Sequence, residues 1–186
     1  SFPSTAGTET SMKIQTPYLL FLADAKEVLS LKVAKGVVDW RPEYCIGEIA
    51  LPDCTVSLGV PRLTLAEAKE QGAKTLVIGM NNAGGTIAGH WIPTILQAIE
   101  SGYDVASGLH QRLTDIDEIR DAAQRHDCQL FDVRHTEIAL KTATGIRRSG
   151  KRLLTVGTDC SVGKMYTALA IEKSMRARQF DAEFVA

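Results

Sequence analysis

The residues best suited to chemistry gather near the C-terminal end, in Gly157-Thr-Asp-Cys-Ser-Val-Gly-Lys-Met165. This stretch follows the apolar run Leu153-Leu-Thr-Val156 and leads into a helix-forming segment. A glycine-bounded loop that ends in Gly-Lys at a helix start presents a ring of backbone N–H groups and a helix dipole, which bind an anion whatever the side chains are. Lys164 adds a point charge for a bridging phosphate oxygen, and Gly163 lets the backbone turn closely around the ligand. The expected phosphate cradle is therefore Gly157, Thr158, Asp159, Cys160, Ser161, Val162, Gly163, Lys164 and Met165. The usual spacing is G-x-x-x-x-G-K-[ST], whereas here one more residue separates the glycines and Met165 replaces the magnesium-binding hydroxyl. A thioether is too soft a donor for that cation, and Thr167 projects roughly 200° around the helix. The cradle is expected to hold an anion without a metal clamp. Nucleotide hydrolysis is disfavoured, because phosphoryl transfer depends on the metal.

A second candidate is Asn81-Asn-Ala-Gly-Gly-Thr-Ile-Ala-Gly-His90, at the carboxyl end of an expected strand, where α/β sheets bind ligands. Its amides with Asn81, Asn82, Gly84, Gly85 and His90 are candidates for holding substrate carboxylates, with His90 and Trp91 at the mouth. A tight strand-to-helix turn with no function explains the same residues. The glycine spacing is not that of a dinucleotide fingerprint. For proton transfer the candidates are His110 and Asp159; a strand-end histidine with a structural hydrogen bond and an aspartate that shapes its own loop are the competing readings. Cys160 has a thiol whose pKa a helix N-terminus lowers, or is a passive small residue. Cys45, Cys54 and Cys128 show no C-x-x-C pair and no zinc spacing, so no metal site is expected.

The elements that must position these residues alternate. Short apolar runs at 18–23, 45–50, 75–78, 103–107 and 129–133 read as buried strands, and amphipathic stretches between them read as helices. The helices are expected over 24–34, capped by Asp24 and closed by Gly36, over 64–72 behind the capping box Thr64-Leu-Ala-Glu67, over 90–100, and after Thr114-Asp-Ile-Asp117. Such alternation predicts a parallel sheet covered on both faces. The fold class is α/β: residues 12–140 a Rossmann-like parallel-sheet domain, 141–151 a cationic linker, and 152–186 the first βαβ unit of an incomplete P-loop-like domain. Residues 1–11 read as a disordered tail or expression scar.

The totals narrow the partners. Among 186 residues, 45% are hydrophobic and 23% charged, with a net charge of −1. That balance gives no reason to expect nucleic acid or an anionic membrane surface. No apolar run approaches the roughly 18 residues of a membrane span, and the N-terminus lacks a signal-peptide pattern, so a cytoplasmic location is expected.

The loop G-T-D-C-S-V-G-K-M is similar to the G-T-D-T-x-x-G-K-T loop of dethiobiotin synthetase. Joined to the Rossmann-like half, and with Ser107-Gly-Leu-His110, Leu113 and Asp132-Val-Arg134, the chain resembles the D-glutamate N-acetyltransferase family. That resemblance implies acetyl transfer from acetyl-CoA to the α-amine of D-glutamate or a similar acidic amino acid, by a homodimer or higher homo-oligomer. A cradle without a metal suits coenzyme A, whose pyrophosphate and 3′-phosphate need only a grip. Transfer to an amine needs a neutral nucleophile, a proton acceptor and donors to the developing oxyanion. The alternatives are an ATP-dependent enzyme like dethiobiotin synthetase and a nucleotide- or CoA-binding module without catalysis.

Overall fold

The computed structural model describes residues 13–135, 145, 150–159 and 162–185. The chain divides into two compact units, residues 1–138 and 139–186.

The first unit is built on five parallel strands: β1 (Tyr18–Phe21), β2 (Cys45–Ile49), β3 (Thr75–Ile78), β4 (Asp104–Ser107) and β5 (Leu130–Asp132). Their order across the sheet is β2-β1-β3-β4-β5, so the winding direction reverses between β1 and β3. Successive side chains point to opposite faces, and both faces are apolar. Leu19, Phe21, Leu76, Ile78 and Val105 join one core with Ile95, Ile99 and Ile119. Leu20, Leu22, Val77, Ala106 and Phe131 join the other with Leu31 and Ala34. This two-sided burial is why the strands read as continuous apolar runs rather than as alternating ones.

Helices α1 (Lys32–Trp40), α2 (Leu65–Glu70), α3 (Ile92–Glu100) and α4 (Asp117–Arg125) connect the strands. The capping box of α2 forms as expected: Thr64 Oγ1 accepts from the Glu67 amide at 3.2 Å and Glu67 Oε2 accepts from the Thr64 amide at 2.8 Å. Two other helix starts differ from expectation. Asp24 does not cap a helix. The ladder continues past β1, with the Leu51 amide donating to the Ala23 carbonyl at 2.8 Å, and Ala23 turns the chain at φ 50°. A 3₁₀ turn at Val28–Leu31 then leads into α1, which runs through Gly36. Thr114 does not cap α4 either. Its hydroxyl donates to Asp132 Oδ2 at 3.1 Å, and Thr114 lies within a 3₁₀ turn, Leu113–Asp115, that leaves Ile116 at the N-cap of α4.

Glu48, fully buried on β2, fixes the long loop before α2. Its carboxylate accepts from the Leu58 amide at 2.8 Å and from Arg62 Nη2 at 3.0 Å and Nε at 3.3 Å.

In the second unit, α5 (Lys164–Ala177) agrees with the expected helix. The apolar run 153–156, expected as a strand of the βαβ unit, has no ladder among the described residues. Leu153, Leu154 and Val156 are 72%, 83% and 79% exposed. A strand exists only by pairing with a neighbour, and the described residues supply none. No helix among them is long and apolar enough to cross a membrane.

Replacing Glu48 tests how the 51–63 loop is held. Glu48→Ala strips the Leu58 amide of its acceptor, while half-exposed Arg62 regains water. The expected cost is about 1–3 kcal/mol, measured by urea denaturation, with a smaller loss for Glu48→Gln.

Candidate functional site

In the second unit the cradle is built from the helix start outward. Gly163 sits at φ 88°, in the left-handed region that glycine tolerates, and turns the loop into α5. As the cap residue it has no side chain to satisfy the first-turn amides, so these N–H groups are available to an anion. Thr155 Oγ1 donates to the Lys164 carbonyl at 3.0 Å and ties the incoming segment to the helix start. Lys164 Nζ donates to the Asp159 carbonyl at 2.6 Å, which folds the cation back over the loop. At Gly157 a Cβ would lie 2.6 Å from Val162 Cγ2 and 3.2 Å from Lys164 Cγ, so a larger residue there would have to push these side chains aside. Val162 and Met165 are each 53% exposed. Thr158 lies on the same loop, while Cys160 and Ser161 lie outside the described residues. A lysine, an uncapped helix start and a closely approached glycine fit a phosphate group. Among the described residues no three histidine, cysteine, aspartate or glutamate side chains gather as a metal site.

In the first unit the polar residues collect beyond the carboxyl ends of the strands, around the β1/β3 switch point. The loop after β3 is locked from within. Asn82 spends both halves of its amide on Thr86: Oδ1 accepts from the Thr86 amide at 3.0 Å and Nδ2 donates to its carbonyl at 2.9 Å. Gly84 lies at φ 88° and Gly85 at φ 62°. The Gly85 carbonyl accepts from the amides of His110 at 2.8 Å and Gln111 at 3.0 Å, joining the loops after β3 and β4. Gln111 Oε1 in turn accepts from the Ile87 amide at 2.8 Å. Asn81 is exposed and donates its own amide to the Ser30 carbonyl at 2.7 Å.

The imidazoles differ in their surroundings. His110 is exposed, and its ring lies against Gly85, where a Cβ would be 2.4 Å from Cδ2. Its carbonyl is 2.9 Å from His135 Nε2. His90 is 57% exposed and places Nε2 3.2 Å from Asp24 Oδ2. Trp91 is buried rather than at a mouth, and its indole Nε1 donates to Asp24 Oδ1 at 2.8 Å. One carboxylate at the end of β1 is thus shared by two neighbours from the loop after β3. Partial burial pushes the Asp24 pKa up, but the Trp91 indole, the backbone amide and His90 together bring it below the usual carboxylate value. Asp24 is the residue that sequence reasoning did not place in a site. The available signal was a carboxylate directly after the first apolar strand, where it was read as a cap.

Two measurements follow. Gly85→Ala combines a left-handed φ with a Cβ 3.0 Å from the His110 backbone nitrogen, so it should cost on the order of 1–3 kcal/mol, read as a lowered denaturation midpoint. The lowered Asp24 pKa contributes stability that is present above the unfolded carboxylate pKa and is lost as pH falls through the folded one. Thermal melts of Asp24→Asn should therefore show a weaker acid-side decline than the parent protein.

Comparison with known proteins places this architecture. Residues 50–136 match the family model described as "Domain of unknown function (DUF1611_N) Rossmann-like domain", and residues 141–186 match "Domain of unknown function (DUF1611_C) P-loop domain". The chain is 49% identical over 173 residues to a D-glutamate N-acetyltransferase of Pseudoalteromonas sp, covering 93% of this chain and 52% of that one. It is 51% identical over 171 residues to a D-glutamate N-acetyltransferase of Tritonibacter scottomollicae, covering 92% and 51%. The chain spans about half the length of these curated relatives. A crystal structure of a DUF1611 family protein from Anabaena variabilis shares the fold, with a TM-score of 0.73 at 24% identity over 92% of this chain and 53% of that one. With a Rossmann-like match followed by a P-loop match, the chain belongs to the DUF1611 family.

Proposed function

We propose that the protein is an N-acetyltransferase that moves an acetyl group from acetyl-CoA to the α-amine of D-glutamate or a similar acidic amino acid. The names of the two relatives at about half identity support the reaction class and the acceptor. The observation that carries the donor assignment is the 157–165 loop. It keeps Lys164, the uncapped start of α5 and the closely packed Gly157, while Met165 replaces the hydroxyl that a nucleotide hydrolase gives to magnesium. A loop of that composition grips a phosphate-bearing handle and leaves the chemistry to another part of the ligand.

Acyl transfer to an amine requires no phosphoryl chemistry. The residues of the loop act on the donor's phosphates: Lys164 through its ammonium, Gly157 to Gly163 through main-chain N–H groups. The acceptor's carboxylates call for N–H donors or cations, and the crevice beyond the carboxyl ends of the first unit's strands is where a sheet of this topology binds ligands. We further propose that the enzyme works in the cytoplasm as a homo-oligomer, and that its domain boundary falls within the cationic segment 141–151.

Free thiol release from acetyl-CoA in the presence of D-glutamate tests the reaction. Release above the blank without amino acid is expected, and a full-length protein with none would overturn it. Thermal shift separates the donors: stabilisation by CoA and acetyl-CoA is expected, and stabilisation by MgATP alone would favour an ATP-dependent enzyme instead. Lys164→Ala removes a charged hydrogen bond worth about 1.5–3 kcal/mol. The KM for acetyl-CoA should therefore rise by roughly 10- to 150-fold with less change in kcat. An unchanged KM would place the donor away from this loop.

A further inference from the structure

The first unit contains a partly exposed carboxylate–imidazole pair. Asp24 stands at the carboxyl end of β1, His90 on the 3₁₀ turn Gly89–Trp91 that leads into α3, and the two meet at the switch point between β1 and β3. Neither residue is needed to fill the core, since the His90 side chain is 57% and the Asp24 side chain 31% exposed. Their geometry is nevertheless fixed. Buried Trp91 holds Asp24 Oδ1 through its indole N–H, and the Trp91 ring packs edge-on to Phe21 of β1, centroids 6.4 Å apart. The carboxylate therefore has one oxygen anchored to the core and the other aimed at an exposed imidazole.

That arrangement sets the tautomer. The Asp24 pKa lies below the ordinary value, so near neutral pH the carboxylate is ionised and only accepts. A neutral His90 then carries its proton on Nε2, toward Asp24, and leaves the Nδ1 lone pair as an acceptor. Among the described residues nothing donates to Nδ1. At His110 the contact from His135 goes to the main-chain carbonyl, and among the described residues no carboxylate meets the ring.

We propose that His90 is the proton acceptor of the transfer reaction and that Asp24, held by Trp91, is its positioning residue. This rests on the acetyltransferase reading above. The substrate ammonium first gives one proton to solvent. As the amine nitrogen bonds to the thioester carbonyl carbon, its excess proton passes to His90 Nδ1, and Asp24 stabilises the imidazolium. The C–S bond then breaks with its electron pair on sulfur, and the imidazolium returns the proton to the thiolate. The products are the amide and the free thiol, with His90 neutral again.

The test uses the full-length protein with acetyl-CoA and D-glutamate. His90→Ala should lower kcat by about 10²–10⁴-fold, the usual contribution of a positioned acid–base group, with both KM values within about threefold. Added imidazole should restore part of the kcat of His90→Ala and none of that of Lys164→Ala. Asp24→Asn should lower kcat with little change in KM, because the amide presents the wrong group to Nε2. His90→Gln, which keeps size and polarity at an exposed position, guards against a folding defect and should lose kcat equally. Parent-like kcat in folded His90→Gln, a loss confined to KM, or no rescue by imidazole would overturn the proposal while the acetyltransferase reading stands. A parent protein that releases no thiol would overturn both.

Discussion

The pairing of β1 with β3 is the constraint on which the first unit depends. Parallel neighbours cannot be joined by a tight turn, so each connection must cross the sheet and bury a helix against it. Because β1 lies inside the sheet, its two faces must both be apolar, and Leu19 to Leu22 are fully buried. The chain leaves β1 toward β2 on one side and returns through β3 on the other. The connections therefore diverge at their carboxyl ends and open a crevice there. Asp24 is carried to that crevice from one side and His90 from the other by strand order alone.

Rigidity in the surrounding loops comes from hydrogen bonds made by main-chain groups, to carbonyls and to carboxylates alike. The Gly85 carbonyl ties the loops after β3 and β4 together, and the Asp132 carboxylate ties the end of β5 to the turn before α4, accepting from the Leu113 amide at 2.7 Å. Such contacts leave exposed side chains such as Asn81, His90 and His110 on a fixed frame. Precision at a site of this kind depends on the frame, since a side chain on a moving loop cannot hold a reactive geometry. The second unit relies on a different device. There an uncapped helix start and a lysine folded onto its own loop bring first-turn N–H groups and a cation together, the arrangement proposed above to hold a phosphate.

Much of the fold was legible because buried parallel strands and amphipathic helices leave distinct periods. Thr75–Ile78 and the capping box at Thr64 match their sequence readings closely. The misreadings share a cause. Asp24 and Thr114 both carry cap chemistry, and both are claimed by partners distant in sequence, Trp91 and Asp132. A local signal loses where a long-range hydrogen bond offers a better acceptor or donor. The segment 153–156 has strand composition, but a ladder needs a second strand, and composition cannot provide one.

By itself the sequence determined the alternation of elements, the two-sided burial of the sheet and the glycine–lysine spacing on which the proposed phosphate cradle rests, because these follow from local periodicity and from residue types at fixed spacing. Only the tertiary structure decided that Asn82 is occupied by its own loop and that Gly85 is a crossing point between two loops. It alone joined Asp24 to Trp91 and His90, 67 residues apart for the indole bond. The physical reason is that a hydrogen bond across such a separation depends on strand order, and no local pattern in the chain encodes which strands will be neighbours.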